Sequence, residues 1–124
     1  MRRPIKIVED RRENYLETIH CRYHIQYVQL ASKKDGRIIG LIVTSYAYLG
    51  AYLSTAAPGV PTYLFGLLLS GAYKIKAVDC SVYGVLTITA PVDAYRGAGR
   101  PEATYLIERM VDILAQRLKT DPGN

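Results

Sequence analysis

The sequence predicts an α+β domain built on a mixed sheet. Two runs rich in aromatic and β-branched residues, Tyr23–Leu30 and Ile38–Tyr48, flank the stretch SKKDGR. A third run, Val78–Ile88, alternates in part. Near the end of the chain the apolar spacing becomes helical, through Leu106, Met110, Ile113 and Leu114. Together with two shorter helical signals, these give the order β-α-β-β-α-β-α.

Each element has a local reason. Ile5–Glu9 alternates weakly and reads as a short strand. Asp10 suits an N-cap, with Glu13 three residues later as in a capping box, so a helix is expected over Arg11–Ile19. Asp35-Gly36 marks a hairpin, because glycine accepts the positive φ of a tight turn. Within Ala56–Gly71, Pro58 and Pro61 suit a helix start, and TYLFGLLLSG continues with no polar face. A helix apolar all round needs cover on every side. One small sheet does not supply it, so this segment is expected to meet neighbours, in an oligomer or in the rest of a larger protein. In the third strand Val78, Cys80, Val82, Leu86 and Ile88 share one face, with Asp79, Ser81, Tyr83 and Thr87 on the other. The last helix is expected from Pro101 to Lys119, with Glu108, Asp112 and Gln116 facing water. Pro101 suits its first position, Glu102 its positive end, and Arg117 and Lys119 its negative end. TDPGN then stops it. There is no internal repeat and no low-complexity linker, so residues 1–124 read as a single domain.

Composition narrows the function classes. Of 124 residues, 49% are hydrophobic and 22% charged, which is globular rather than disordered. The net charge of +5 favours anionic partners. The basic residues are dispersed, at Arg2-Arg3, Arg11-Arg12, Lys33-Lys34, Arg96 and Arg100, as on a solvated surface, so no nucleic-acid partner is expected. MRRPIKIVED has no apolar signal region, and Val60–Leu69 falls short of the roughly 20 residues a bilayer span needs. No membrane association and a cytoplasmic location with free thiols at Cys21 and Cys80 are the expectation.

The stretch AYRGAGRPEA, Ala94–Ala103, carries the main chemical signal. A strand, a glycine-rich turn and a helix start make an anion site. Gly97 and Gly99 allow close backbone approach and unusual φ. The turn N–H groups and the helix dipole favour negative charge, and Arg96 and Arg100 add fork-shaped donors. The same residues also suit a plain surface connection. The pattern is neither GxxxxGK[ST] nor GxGxxG.

TITAPVDAYRGAGRPEATYLIERMVDILAQRL resembles the molybdenum-binding large subunit of the aerobic carbon monoxide dehydrogenase, xanthine dehydrogenase and aldehyde oxidase family. RRPIKIVEDRRENYLETIHCRYH, KKDGRIIGL, LGAYLSTAAPGVPTYLFG and GAYKI extend the likeness in the family's order over nearly the whole chain. The resemblance implies part of a molybdopterin cofactor-binding domain. It implies that Tyr95, Arg96, Gly97, Ala98 and Gly99 form the cofactor-binding loop, with Arg96 and its backbone at the molybdenum end. Ala98 would shape the substrate pocket. Gly97 stands where members that oxidise carbon monoxide carry a copper-binding cysteine, so the loop is similar to the copper-free type that takes aldehydes or N-heterocycles. Iron–sulfur and flavin subunits are the implied partners.

The likeness is incomplete. The family's upstream glycine-rich cofactor motif and its downstream general-base glutamate are not in these residues. The chain therefore resembles an internal slice of a longer subunit, from a split or decayed gene or one half of a bipartite subunit, and no catalytic residue is expected in it. Three positions also depart from the pattern: Cys21 replaces a glycine, Tyr48 a small acidic or amide residue, and Ile88 an asparagine.

Other candidates are weaker. His20, Cys21 and His24 would share a face on a helix and could hold zinc, but a fourth ligand is lacking and no metal site is expected. Cys80 alternates with Val78 and Val82 as a core residue. The 11 tyrosines suit packing better than base stacking. Ser54 and Ser70 lack His and Asp partners. Three readings follow. The chain is a piece of a molybdenum hydroxylase large subunit, inactive alone. Or it is a non-catalytic remnant that self-associates as a homo-oligomer. Or it is an anion- or nucleotide-binding module using residues 96–102.

Overall fold

The β-branched and aromatic runs form strands where expected. The structure, a computed structural model, describes residues 3–20 and 22–123; Met1, Arg2, Cys21 and Asn124 lie outside them. Strand β1 (His24–Ser32) and strand β2 (Ile38–Gly50) pair antiparallel. The turn between them closes on Asp35-Gly36. The Lys33 amide donates to the Arg37 carbonyl at 2.9 Å, and Gly36 takes a φ of +87°. Strand β3 (Val78–Leu86) lies parallel to β2 on its other edge, so the three-stranded sheet is mixed with order β1-β2-β3. Helix α1 (Arg11–Glu17) has the capping box, with Asp10 accepting from the Glu13 amide and Glu13 from the Asp10 amide.

One face of the sheet carries the core. Leu41 and Val43 of β2 are buried against Phe65, Leu69 and three residues of helix α3 (Arg100–Leu118): Ala103, Leu106 and Ile107. Val28, Leu30, Cys80 and Val82 pack around this cluster. Cys80 is thus a half-buried core thiol, as expected. The opposite face is open. Tyr27, Tyr46 and Tyr83 are exposed on it, with the last two rings stacked 5.2 Å apart.

Four expectations change in detail. Ile5–Glu9 forms no strand, and Ile5, Ile7 and Val8 are exposed, because no described strand lies alongside to pair with them. The apolar segment is not one helix. Val60–Leu64 is a π-helical turn, followed by a short α2 (Phe65–Leu67) and turns to Ala72. Its burial recurs every fourth residue, through Ala57, Pro61, Phe65 and Leu69, while Tyr63 and Leu67 face outward. The sheet and α3 therefore cover one side of it. In β3, Cys80 and Val82 point inward, but Val78, Leu86 and Ile88 are exposed. The register shifts beside Tyr48–Gly50, where β3 ends, and Val85, paired with Tyr48, is half-buried on the other face. Helix α3 begins at Arg100, one residue early, and its buried stripe also includes Val111 and Ala115. None of the described helices is long and apolar enough to cross a membrane.

Beyond β3 the chain folds back across the end of β2. The Thr87 amide donates to Gly50, Ala51 to Thr89, and Val92 to Leu49, each at 3.0–3.1 Å. His20 forms a parallel bridge with Val92. These bonds deliver the glycine loop to a fixed place above the core.

Candidate functional site

Asp93 anchors the start of the loop. It is buried, and it accepts from the Ala94 amide at 2.5 Å and the Ala56 amide at 3.2 Å. The Ser54 hydroxyl, with these two amides, holds its carboxyl below the usual carboxylate range against the opposing effect of burial. Ser54, lacking a nucleophile's partners, has this anchoring role instead. A folded-state pKa below the unfolded value of about 3.9 means that the ionised carboxylate stabilises the fold above that pH. That stability is lost as pH falls through the lower, folded value. Asp93→Asn is therefore expected to flatten the fall in melting temperature between about pH 5 and pH 2. An acid limb as steep as the wild type's would show that Asp93 contributes nothing to it.

The loop itself is a run of left-handed residues. Gly97, Ala98 and Gly99 have φ of +94°, +37° and +86°. The Ala98 amide closes on the Tyr95 carbonyl at 2.9 Å, and the Arg100 amide on the Gly97 carbonyl at 3.1 Å. The amides of Gly97 and Gly99 have no acceptor among the described residues. Backbone N–H groups left without a carbonyl in a turn of this kind suit an anion. Helix α3 starts directly after it, with Pro101 in its first turn. Tyr95 and Arg96 are exposed, and an Arg100 nitrogen bonds back to the Gly97 carbonyl at 3.3 Å. All five residues expected at the site are thus contiguous and shaped together. Their donor set suits an anionic group.

Two residues that tie this loop down carried little sequence signal. The Arg22 Nε lies 3.0 Å from the Glu102 Oε1, and its Nη2 donates to the Arg96 carbonyl at 2.7 Å. Its guanidinium also stands 5.4 Å from the Tyr95 ring centre. Glu102, read as a helix-start residue, is in addition this ion-pair partner from the first turn of α3. Its side chain is 9% exposed, and Oε2 has no hydrogen-bond partner among the described residues. A contact across 80 residues leaves no local pattern to find.

His20 and His24 do not share a helix face. His20 lies in the bridge to Val92, with Nε2 3.3 Å from the Tyr15 carbonyl. His24 opens β1, its ring edge-on to Phe65 at 5.5 Å and its Nδ1 3.4 Å from the Ser45 hydroxyl. Burial lowers its pKa, with the Glu102 charge opposing. Cys21 lies outside the described residues, both as a ligand candidate and as a departure from the family pattern. The described residues contain no cluster of three or more His, Cys, Asp or Glu that could hold a metal.

Next to the loop is a groove of about 390 Å³ lined by His20, Arg22, Tyr23, Tyr48, Thr87 and Val92 among others. Tyr48, one of the departures, stacks on Tyr23 at 4.7 Å and so fills one wall of it. Ile88, another, is exposed.

The family model of the molybdopterin cofactor-binding domain matches residues 1–124. A carbon monoxide dehydrogenase large chain from Hydrogenophaga pseudoflava is 48% identical over 122 residues, covering 96% of this chain and 15% of that protein. Quinoline 2-oxidoreductase from Pseudomonas putida 86 superposes with a TM-score of 0.84 at 31% identity, over 93% of this chain and 15% of the other. The carbon monoxide dehydrogenase of Oligotropha carboxidovorans gives a TM-score of 0.80 at 34% identity, with the same coverage of both chains. The chain thus spans about 15% of the length of these relatives.

Proposed function

The chain belongs to the molybdopterin cofactor-binding domain family, and from that premise we propose that it supplies one wall of the cofactor site of a molybdenum hydroxylase large subunit. The observation that supports this most is the left-handed run Gly97-Ala98-Gly99 at the start of α3, between two arginines, in which the Gly97 and Gly99 amides have no acceptor among the described residues. Arg96 and the backbone of residues 95–99 would hold the anionic cofactor, and Arg100 would add charge. When bound, the group would supply oxidative hydroxylation with oxygen from water, and iron–sulfur and flavin partners would take the electrons. Gly97 offers no thiol, so the substrate class proposed is an aldehyde or N-heterocycle. The remaining walls would come from other segments of the large subunit.

The chain's own residues do not complete the chemistry. A general base must lie within hydrogen-bond reach, about 3 Å, of the proton it takes. Asp93 is buried and committed to Ala56, Ala94 and Ser54, and Glu102 is committed to Arg22. The isolated chain is therefore expected to oxidise no aldehyde, purine or carbon monoxide, whether or not cofactor is added. Dye reduction above that of an Arg96→Ala control would overturn this. The cofactor reading is tested by molybdenum and pterin content of the protein purified from its native host. Both are expected in the wild type, and Arg96→Ala is expected to lose most of each. Their absence from the wild type would remove the reading.

The open tyrosine face of the sheet, with Tyr63 and Leu67 exposed elsewhere, favours association. Other large-subunit segments or a second copy of this chain would cover such surfaces. Light scattering at micromolar concentration separates a homo-oligomer from a monomer.

A further inference from the structure

We propose that Arg22 is a positioning residue, a clamp that holds the 95–99 loop in its left-handed shape from the far end of the sequence. Its role in cofactor binding rests on the reading above; its role in loop shape does not.

Three contacts converge on one guanidinium. Nε reaches the Glu102 carboxylate at 3.0 Å, Nη2 reaches the Arg96 carbonyl at 2.7 Å, and the plane lies 5.4 Å from the Tyr95 ring centre. The first fixes the start of α3, and the other two fix the entrance of the loop. Between these points lie Gly97, Ala98 and Gly99, two of them with glycine's wide φ freedom. A segment of that kind has many conformations unless both of its ends are held. The clamp holds both from one side chain. Only a planar fork makes these contacts together; an ammonium is a single point charge.

The backbone of Arg22 points the same way. Its φ is +57°, in the left-handed region that a non-glycine residue occupies at a cost. Glycine would occupy it freely. The strained residue persists where surrounding contacts over-determine it, and here the contacts are those of its own side chain. The Glu102 side chain is almost fully buried, which makes the ion pair less screened than a surface pair. Arg22 stands two residues before β1, so the strand fixes the chain from which its side chain reaches the loop.

Amide hydrogen exchange on the full 124-residue chain tests the clamp without cofactor. The reporters are the Ala98 and Arg100 amides, both hydrogen-bonded within the loop, with the Val43 amide in β2 as control. Arg22→Gly removes the side chain and relieves the left-handed backbone. The two loop amides are expected to exchange on the order of tenfold faster while Val43 keeps its protection. Equal rates at Ala98 and Arg100 in variant and wild type would overturn the proposal, as would a uniform rise that includes Val43, the mark of an ordinary stabilising ion pair. Arg22→Lys keeps the charge and the left-handed backbone. It is expected to leave the loop loosened, and full recovery of protection would overturn the assignment to the guanidinium fork. If the loop loosens as expected but native-host protein holds no molybdenum, the clamp stands and the cofactor reading alone falls.

Discussion

Gly50→Ala is expected to be the most damaging single methyl that can be added to this chain. Gly50 has a φ of +83°, and a Cβ there would collide with the Pro91 Cα and stand 2.5 Å from the Ala90 carbonyl oxygen. Both are backbone atoms, so no rotamer change relieves the overlap. The strained φ costs of order 1–3 kcal/mol. Overpacking against fixed neighbours adds about 1–3 kcal/mol. Together these are a large share of the roughly 5–15 kcal/mol that holds a domain of this kind folded. A fall in melting temperature of at least about 10 °C is expected. The chain around Gly50 explains the intolerance. The Thr87 amide donates to Gly50 itself, and the neighbouring Leu49 and Ala51 bond to Val92 and Thr89. The crossing segment can approach β2 that closely only over a residue with no side chain. Thermal unfolding followed by circular dichroism decides it, and a variant melting with the wild type would refute the account.

That glycine shows where sequence reading reaches its limit. The hairpin at Asp35-Gly36 was legible because its cause is local: two strand-like runs and a residue free to take positive φ. The capping box at Asp10 and Glu13 and the helix beginning next to Pro101 were legible for the same reason. The loop 95–99 was legible as a concentration of glycine and arginine before a helix. Gly50 has a positive φ too, but what makes it indispensable is Pro91, a contact no local pattern records. The Arg22–Glu102 pair spans 80 residues and was hidden likewise. The misread segments failed on tertiary grounds. Ile5–Glu9 alternates but has no neighbouring strand among the described residues, and alternation alone forms no ladder. Leu86 and Ile88 kept the alternation on paper, but the ladder ends at an irregularity beside Gly50, and both residues are exposed where it stops. The segment 56–71 looked apolar on all sides because the sequence does not say which side meets a sheet. Its covered face is the one through Phe65 and Leu69.

Gly99→Ala is expected to do most harm within the loop itself, and comparison with Gly97→Ala isolates the cause. Both positions have φ near +90°, so both variants incur the left-handed cost of an L residue. They differ in what a Cβ would meet. At Gly97 it comes to 3.0 Å from the Pro101 ring, a side chain on the loop's own flank. At Gly99 it comes to 2.8 Å from the Val60 carbonyl oxygen and 2.9 Å from the Phe65 nitrogen, both backbone atoms of the π-helical turn and its continuation. Phe65 is fully buried at the centre of the core, so that backbone cannot withdraw without opening the packing around Leu41, Leu69 and Ile107. Gly99→Ala is therefore expected to cost about 3–5 kcal/mol, and Gly97→Ala about 1–2 kcal/mol. Denaturant unfolding of the two variants beside the wild type measures the difference directly. If Gly97→Ala proves as damaging as Gly99→Ala, the common left-handed strain dominates and the close approach of the loop to the core turn is not what requires glycine at 99. If the expected order holds, then Gly99 is fixed by the core beneath it. Gly97, half-buried beside the Pro101 ring and away from the core turn, is then the position where a side chain can be added with the fold kept, and where its effect on cofactor content can be read separately from stability.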